Sequence, residues 1–353
     1  MLDDLPPAPG LTGEALRQAH DRLRDASPGV RAREAAAQLG VSEAELVAAR
    51  VGRGVVRLDV EFADVLRALP AVGEVMALTR NDHCVHEKHG AFDHVSIGPG
   101  HGLVLNHEID LRLFMSHWRF GFAVTEEVAS GLRSSLQFFD IDGAAVHKVY
   151  VTGRTDRAAY DALVARFAAP DQHGDIAVTP LPAKRAELPD HDIEIDNFRA
   201  HWRALQDTHD FFSLLQEFGV SRAQAMRLAG PEFVVPVAAA ALRQVMEAAS
   251  ASDIPIMCFV GNPGCIQIHT GPIKTLKIMG PWFNILDPGF NLHLREDAIA
   301  AAYVVRKPTR DGDVTSLELF DAGGFCFAQF FGERKPGKSE LPAWRDALAA
   351  ASA

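Results

Sequence analysis

Over the last hundred residues, apolar positions come in runs of five to seven, broken by Gly, Pro, Asn and Asp. Ile256–Val260, Cys265–His269, Ile273–Met279, Phe290–Leu294, Ala301–Val305, Ser316–Phe320 and Phe325–Phe331 read as short strands joined by tight turns. Strand follows strand with no helix between, so an antiparallel meander is expected. Before this run lies a region with a three-to-four-residue apolar period, about 192–250, which reads as helical. Trp202, Leu205, His209 and Phe212 fall on one stripe of a helix expected from Ile193 to Phe218.

The same order occurs earlier in the chain. Residues 75–140 match 256–321 at a constant offset of 181: Asn81 faces Asn262, Cys84 faces Cys265, Ser135-Leu136 faces Ser316-Leu317, and Asp140 faces Asp321. Ile109–Leu113 faces Phe290–Leu294, and Val75-Met76-Ala77 faces Ile256-Met257-Cys258. Upstream, Gly40-Val41-Ser42 faces Gly219-Val220-Ser221 at an offset of 179, within helical regions at about 12–50 and 192–250. Gly40 and Gly219 sit where helix C-caps belong. Ser42 with Glu45, and Ser221 with Gln224, read as capping boxes opening the next helix. The chain is therefore α+β, a tandem duplication in which each half holds a large antiparallel sheet with flanking helices. Ala168–Pro189 carries four prolines and reads as the connection. This gives a first repeat over 1–167, a linker over 168–191 and a second repeat over 192–353.

Length supports two cores, and a 48% hydrophobic, 23% charged composition suits globular folding. The net charge of -11 repels polyanions and argues against nucleic acid as a partner. Cys84, Cys258, Cys265 and Cys326 form no C-x-x-C pair and fit reduced thiols. The opening Met-Leu-Asp-Asp-Leu-Pro-Pro lacks a signal-like leader, and no run of 18 apolar residues occurs, so a cytoplasmic protein is expected.

Candidate chemistry is sparse. A lone histidine on an apolar stripe is usually a core side chain bonded to a carbonyl. His209, however, has Val30 as its counterpart in the first repeat, so the fold does not require an imidazole there. A neutral imidazole among aromatics suits heme iron. In Asp110-Leu111-Arg112-Leu113-Phe114, alternation puts Arg112 with Asp110 and Phe114 on one strand face, where Arg112 can simply pair with Asp110 or Glu108. Its counterpart is His293. Arg222 follows the cap Ser221 at a helix start, as an exposed cation or an anion clamp. Lys307 ends a strand, where solvation alone would explain it. Seven histidines lie between 83 and 117, but none has the spacing of metal ligands on one helix face. Residues 34–42 resemble half of a DNA-binding helix-turn-helix, giving a DNA-binding regulator as the alternative function, though Glu43 and Glu45 are wrong for approaching a groove.

Taken together, the duplication, Asp-Thr-His209-Asp-Phe-Phe, Gly-Val-Ser-Arg222, Ile-Asp-Leu-Arg112-Leu-Phe114 and Arg-Lys307-Pro-Thr resemble the hemin-degrading factor family of HemS-like heme-utilisation proteins. The resemblance spans nearly the whole chain. It implies a cytoplasmic protein of bacterial heme-iron acquisition that carries or degrades heme b (iron protoporphyrin IX). Its partners would be a heme oxygenase or an inner-membrane heme transporter. It implies His209 as the iron ligand and Arg112 as the distal, catalytic residue, with Phe114 against the ring. Arg222 and Lys307 would meet the propionates. Near the position of Phe331 the family often has Tyr, so a phenol hydrogen bond is lost here; Arg334 is a further candidate nearby. With ligand and distal residue in different repeats, heme would close the cleft as a hinge does.

Overall fold

The computed structural model describes residues 11–352 apart from 60, 130, 184, 185, 335 and 336. The opening seven residues read above lie outside the described residues. Two nine-stranded sheets, every pairing antiparallel, form the centre. The first runs, edge to edge, Val55–Arg57, Phe120–Val128, Gly131–Phe139, Ala145–Thr155, Gly73–Arg80, Cys84–Ala91, Phe290–Arg295, Trp282–Asp287 and Leu276–Met279. The second runs Val234–Val237, Ala301–Lys307, Val314–Phe320, Cys326–Gly332, Ile256–Asn262, Cys265–Gly271, Asp110–Phe114, His101–Leu105 and Val95–Ile97.

These orders show an exchange between repeats. Each sheet takes six strands from one repeat and three from the other. The same joint is made twice: Cys84–Ala91 bonds Phe290–Arg295, and Cys265–Gly271 bonds Asp110–Phe114. Each repeat thus covers a strand edge that its partner would otherwise leave unpaired. The turn before each joint strand is locked across the pseudo-twofold. Asn81 Nδ2 donates to the Gly261 and Phe327 carbonyls, and Asn262 Nδ2 to those of Arg80 and Val146.

The predicted strands of the second repeat are present within a few residues, and three differences stand out. Ile273 precedes its strand, which begins at Leu276. Trp282–Asp287, between Pro281 and the turn at Pro288-Gly289, is a strand the pattern reading missed. Val234–Val237 is a strand inside the expected helical region. The helix expected from Ile193 to Phe218 is two helices, Ile195–Arg203 and Asp210–Phe218, separated by a turn. Gly40 and Gly219 cap their helices at φ +67° and +62°, the left-handed conformation glycine enters without strain. Ser42 and Glu45 form the full capping box; Ser221 accepts from the Gln224 N–H, but the Gln224 amide turns to Leu188 and Asp190 instead.

The second sheet is covered on one face by Ala241–Ala251 and Pro342–Ala351, and on the other by Ile195–Arg203, Asp210–Phe218 and Arg222–Leu228. Between the sheets runs a buried polar seam. Thr79 Oγ1 bonds His147 Nδ1 (2.8 Å) and Gln267 Oε1 (2.9 Å), Lys88 Nζ meets His269 Nδ1 (3.3 Å), and the His269 ring stacks on Phe290. Most of the histidine-rich stretch is taken up by local partners: His86 is buried against Phe290, His83 pairs with Asp321, His117 with Asp140, and His101 packs on Phe114.

Candidate functional site

Of the candidate residues, the second sheet carries Arg112, Phe114, Lys307 and Phe331 on one face, while His209 and Arg222 come from the helix layer and Arg334 follows the last strand. Side chains directly opposite on paired strands share a face. Tyr303, Glu318, Gln329, Phe259, Ile268 and Asp110 form one such row across six strands. Gly261, Ile266, Arg112 and Leu103 form the next, two residues along. Alternation holds as expected at Asp110–Phe114: Leu111 and Leu113 are buried, while Asp110, Arg112 and Phe114 are half-buried on the open face. Arg112 pairs with Asp110, the bland partner foreseen from sequence. Burial raises the Asp110 carboxyl above its ordinary range, against the lowering pull of Arg112.

The helix layer approaches the same face through Phe211, whose ring lies 4.6 Å from Lys307 Nζ and 5.2 Å from the Arg222 guanidinium. Between helices and sheet opens a cleft of about 580 Å³, lined by Arg222, Phe259, Ile266, Cys326, Gln329 and their neighbours. Phe259 and Phe331 meet edge to face at 5.1 Å on the sheet. Leu103 and Leu105, on the same face, are exposed. An aromatic and aliphatic floor of this kind, left open, marks a binding surface.

His209 is not on a buried stripe. It precedes helix Asp210–Phe218, and its side chain is 89% exposed, as Phe212 is at 66%. Trp202 and Leu205 are buried, but the turn between the helices takes the next two positions out of phase with them. Asp207 Oδ1 accepts from the His209 backbone N–H (2.9 Å) and lies 2.5 Å from Nδ1. These bonds, aided by the charge of half-buried Arg334, hold the Asp207 carboxyl below its ordinary range.

Arg222 and Lys307 are not free cations. Both bind Glu318, which is fully buried: Arg222 at 2.8 Å through two nitrogens, Lys307 at 2.7 Å, with the Ser316 hydroxyl adding a third donor. Burial would raise the Glu318 carboxyl, but the two cations overcome it and hold it far below the usual range. Lys307 is itself buried, so its placement at a solvated strand end is corrected: it lies under Phe211, beside Glu318. Arg222 keeps 28% of its side chain exposed and lines the cleft. The sequence reading missed Glu318. Its signal was a carboxylate inside the otherwise uncharged strand Val314–Phe320.

The first repeat carries the reversed charge at this position. Glu43, the counterpart of Arg222, is buried and pairs with Lys148 and Arg80. Five of the six residues of helix Glu43–Ala48 are buried, so the helix that a DNA reader would offer to a groove is packed inside. The DNA-binding alternative has no support in this geometry. Closure by a hinge is also corrected: the strand that carries Arg112 is bonded into the second repeat's own sheet, beside Ile266 of the cleft wall. It therefore shares one layered unit with His209.

Among the described residues, no three metal-ligating side chains converge and no helix is long and apolar enough to cross a membrane. The residues of the cleft fit a heme. They supply an apolar floor and a cation at the wall; His209 does not line the cleft, but on the helix layer it offers an exposed imidazole whose Nδ1 is engaged, leaving Nε2 for iron.

These features define a duplicated α+β protein with an open cleft between the second sheet and its helix layer. A model of the family described as "Haemin-degrading HemS.ChuX domain" matches residues 40–167 and 219–351, and the chain belongs to that family. It is 42% identical over 337 residues to the hemin transport protein HmuS of Yersinia pestis, covering 95% of this chain and 96% of that one. The crystal structure of holo-PhuS, a heme-binding protein from Pseudomonas aeruginosa, superposes with a TM-score of 0.92 at 47% identity, covering 94% and 97% of the two chains. The heme degrading enzyme ChuS of Escherichia coli O157:H7 gives 0.89 at 39% identity, covering 95% and 98%.

Proposed function

We propose that this chain is a cytoplasmic heme-binding protein of bacterial heme-iron uptake, holding one heme in the cleft with His209 as the iron ligand. The observation that carries the reading is His209 itself. It is an exposed imidazole held by its Nδ1, on the helix layer that covers an open apolar face bearing Arg112. A heme has an apolar body and two carboxylates, so it needs such a floor and cations near its rim. Phe114, Phe331 and Phe212 are the aromatic contacts. Arg222, partly exposed at the cleft wall and held by Glu318, is the cation nearest a propionate, with Lys307 behind it. Arg334 stands on the His209 side.

When bound, heme supplies a redox-active iron. Arg112 supplies a fixed positive charge on the sheet side, which favours negative charge developing there. Relatives are named for transport and for degradation, and both uses start from the same complex. Titration with hemin should give a Soret band that H209A weakens or shifts; an unchanged band and affinity would overturn the ligand. Incubating the complex with ascorbate or a reductase then separates the uses. Soret loss with release of CO and iron assigns degradation. A lasting Soret band, with transfer of heme to an apo heme oxygenase, assigns carriage.

A further inference from the structure

The turn before helix Asp210–Phe218 is held by acids at both ends. The Asp207 N–H donates to Asp210 Oδ2 (3.0 Å), and the Asp210 N–H donates to the Asp207 carbonyl (3.1 Å). Asp210 therefore spends its carboxylate on the backbone, and Asp207 alone faces the imidazole. One oxygen of Asp207 takes both the backbone N–H and Nδ1 of His209. This ties the ring and the backbone of His209 to one carboxylate oxygen, one bond to each, on a residue that is itself anchored in the turn. At the 179 offset, Asp207 and His209 face Pro28 and Val30, so carboxylate and imidazole occur together in one repeat and neither occurs in the other.

We propose that Asp207 is the positioning residue for His209, holding the Nδ1–H tautomer so that Nε2 is bare and oriented as the heme-iron donor. The proposal rests on the heme reading above. A neutral imidazole in water favours its proton on Nε2, the nitrogen that must be free. A carboxylate can only accept, so it demands the proton on Nδ1 and reverses that preference. Its negative charge also strengthens the nitrogen as a donor and favours the ferric over the ferrous state of a bound heme.

The test uses the full chain with D207A, D207N and H209A. In the heme-free protein near neutral pH, nitrogen-15 spectra of His209 should show the Nδ1–H tautomer in the wild type and a shift toward Nε2–H in D207A. Hemin affinity should fall about 10- to 100-fold in D207A. D207N keeps a neutral acceptor for the His209 backbone N–H and Nδ1–H, so it should retain the fold and most of the affinity while the heme midpoint potential rises. A wild-type tautomer and affinity in D207A would overturn the proposal, as would an unchanged potential in D207N. Indifference of hemin binding to H209A removes the ligand assignment itself. A defective H209A beside wild-type behaviour in both Asp207 variants removes only the positioning role.

Discussion

Arg112 stands directly across the strand pair from Ile266, a cleft-lining residue of the other repeat, so the guanidinium is carried by the second repeat's sheet. Its distance from the helix layer is set by sheet geometry, and the ion pair with Asp110 turns it along its own strand.

Arg112→Ala should therefore separate function from folding. The side chain is one-third exposed and its ion pair is partly solvated, so the loss of stability should stay within about 1 kcal/mol. The ferric heme spectrum or the rate of heme loss under reductant should change far more. Chemical denaturation alongside spectroscopy checks both, and a spectrum and turnover indifferent to the change would remove Arg112 from the site.

Glu318 is the opposite case. Replacing it by Gln leaves Lys307 and Arg222 beside each other without their shared anion, and Lys307 is buried. Breaking a buried pair from one side costs about 3–5 kcal/mol. Urea unfolding should show that loss. A second change, Lys307→Met, should recover part of it by removing the stranded charge, and a double variant no more stable than E318Q would contradict the pairing.

The polar seam predicts acid sensitivity. Burial pushes the imidazoles of His147 and His269 down to about 3, Lys88 adding to the effect at His269. Above about pH 6.5 both are neutral whether the chain is folded or not, and pH has no effect through them. As pH falls below that value, the unfolded chain binds protons that the folded core refuses. Stability then drops by about 1.4 kcal/mol per pH unit for each histidine, down to about pH 3. Unfolding midpoints measured from pH 7 to 4 should show this slope. His147→Gln should flatten it by about one proton's worth, and an unchanged slope would mean His147 is protonated in the folded state.

Gly332 gives a packing test. A Cβ there would sit 2.8 Å from the side chain of Trp344, a fully buried residue of the terminal helix Pro342–Ala351. Gly332→Ala should therefore destabilise by about 1–3 kcal/mol through overpacking. Its neighbour Phe331 is on the cleft face, so Phe331→Ala should weaken heme binding with a smaller effect on folding.

Much of this was legible along the chain. The 181-residue offset set the duplication, alternation put Arg112 and Phe114 on one strand face, and Gly40 and Gly219 marked helix ends, because each depends on local backbone preference and near-neighbour pattern. His209 was found through its contrast with Val30, but its setting was misread. Periodicity cannot see that the helix breaks after Arg203, nor that Asp207 and Asp210 build a new start with the imidazole outside the core. The exchange of three strands between sheets, the burial of Lys307 under Phe211, and the carboxylate of Glu318 joining it to Arg222 were decided only in the folded chain. Each joins residues far apart in sequence. Their energies come from edge pairing and from charges excluded from water, and no local pattern encodes which distant partner supplies them.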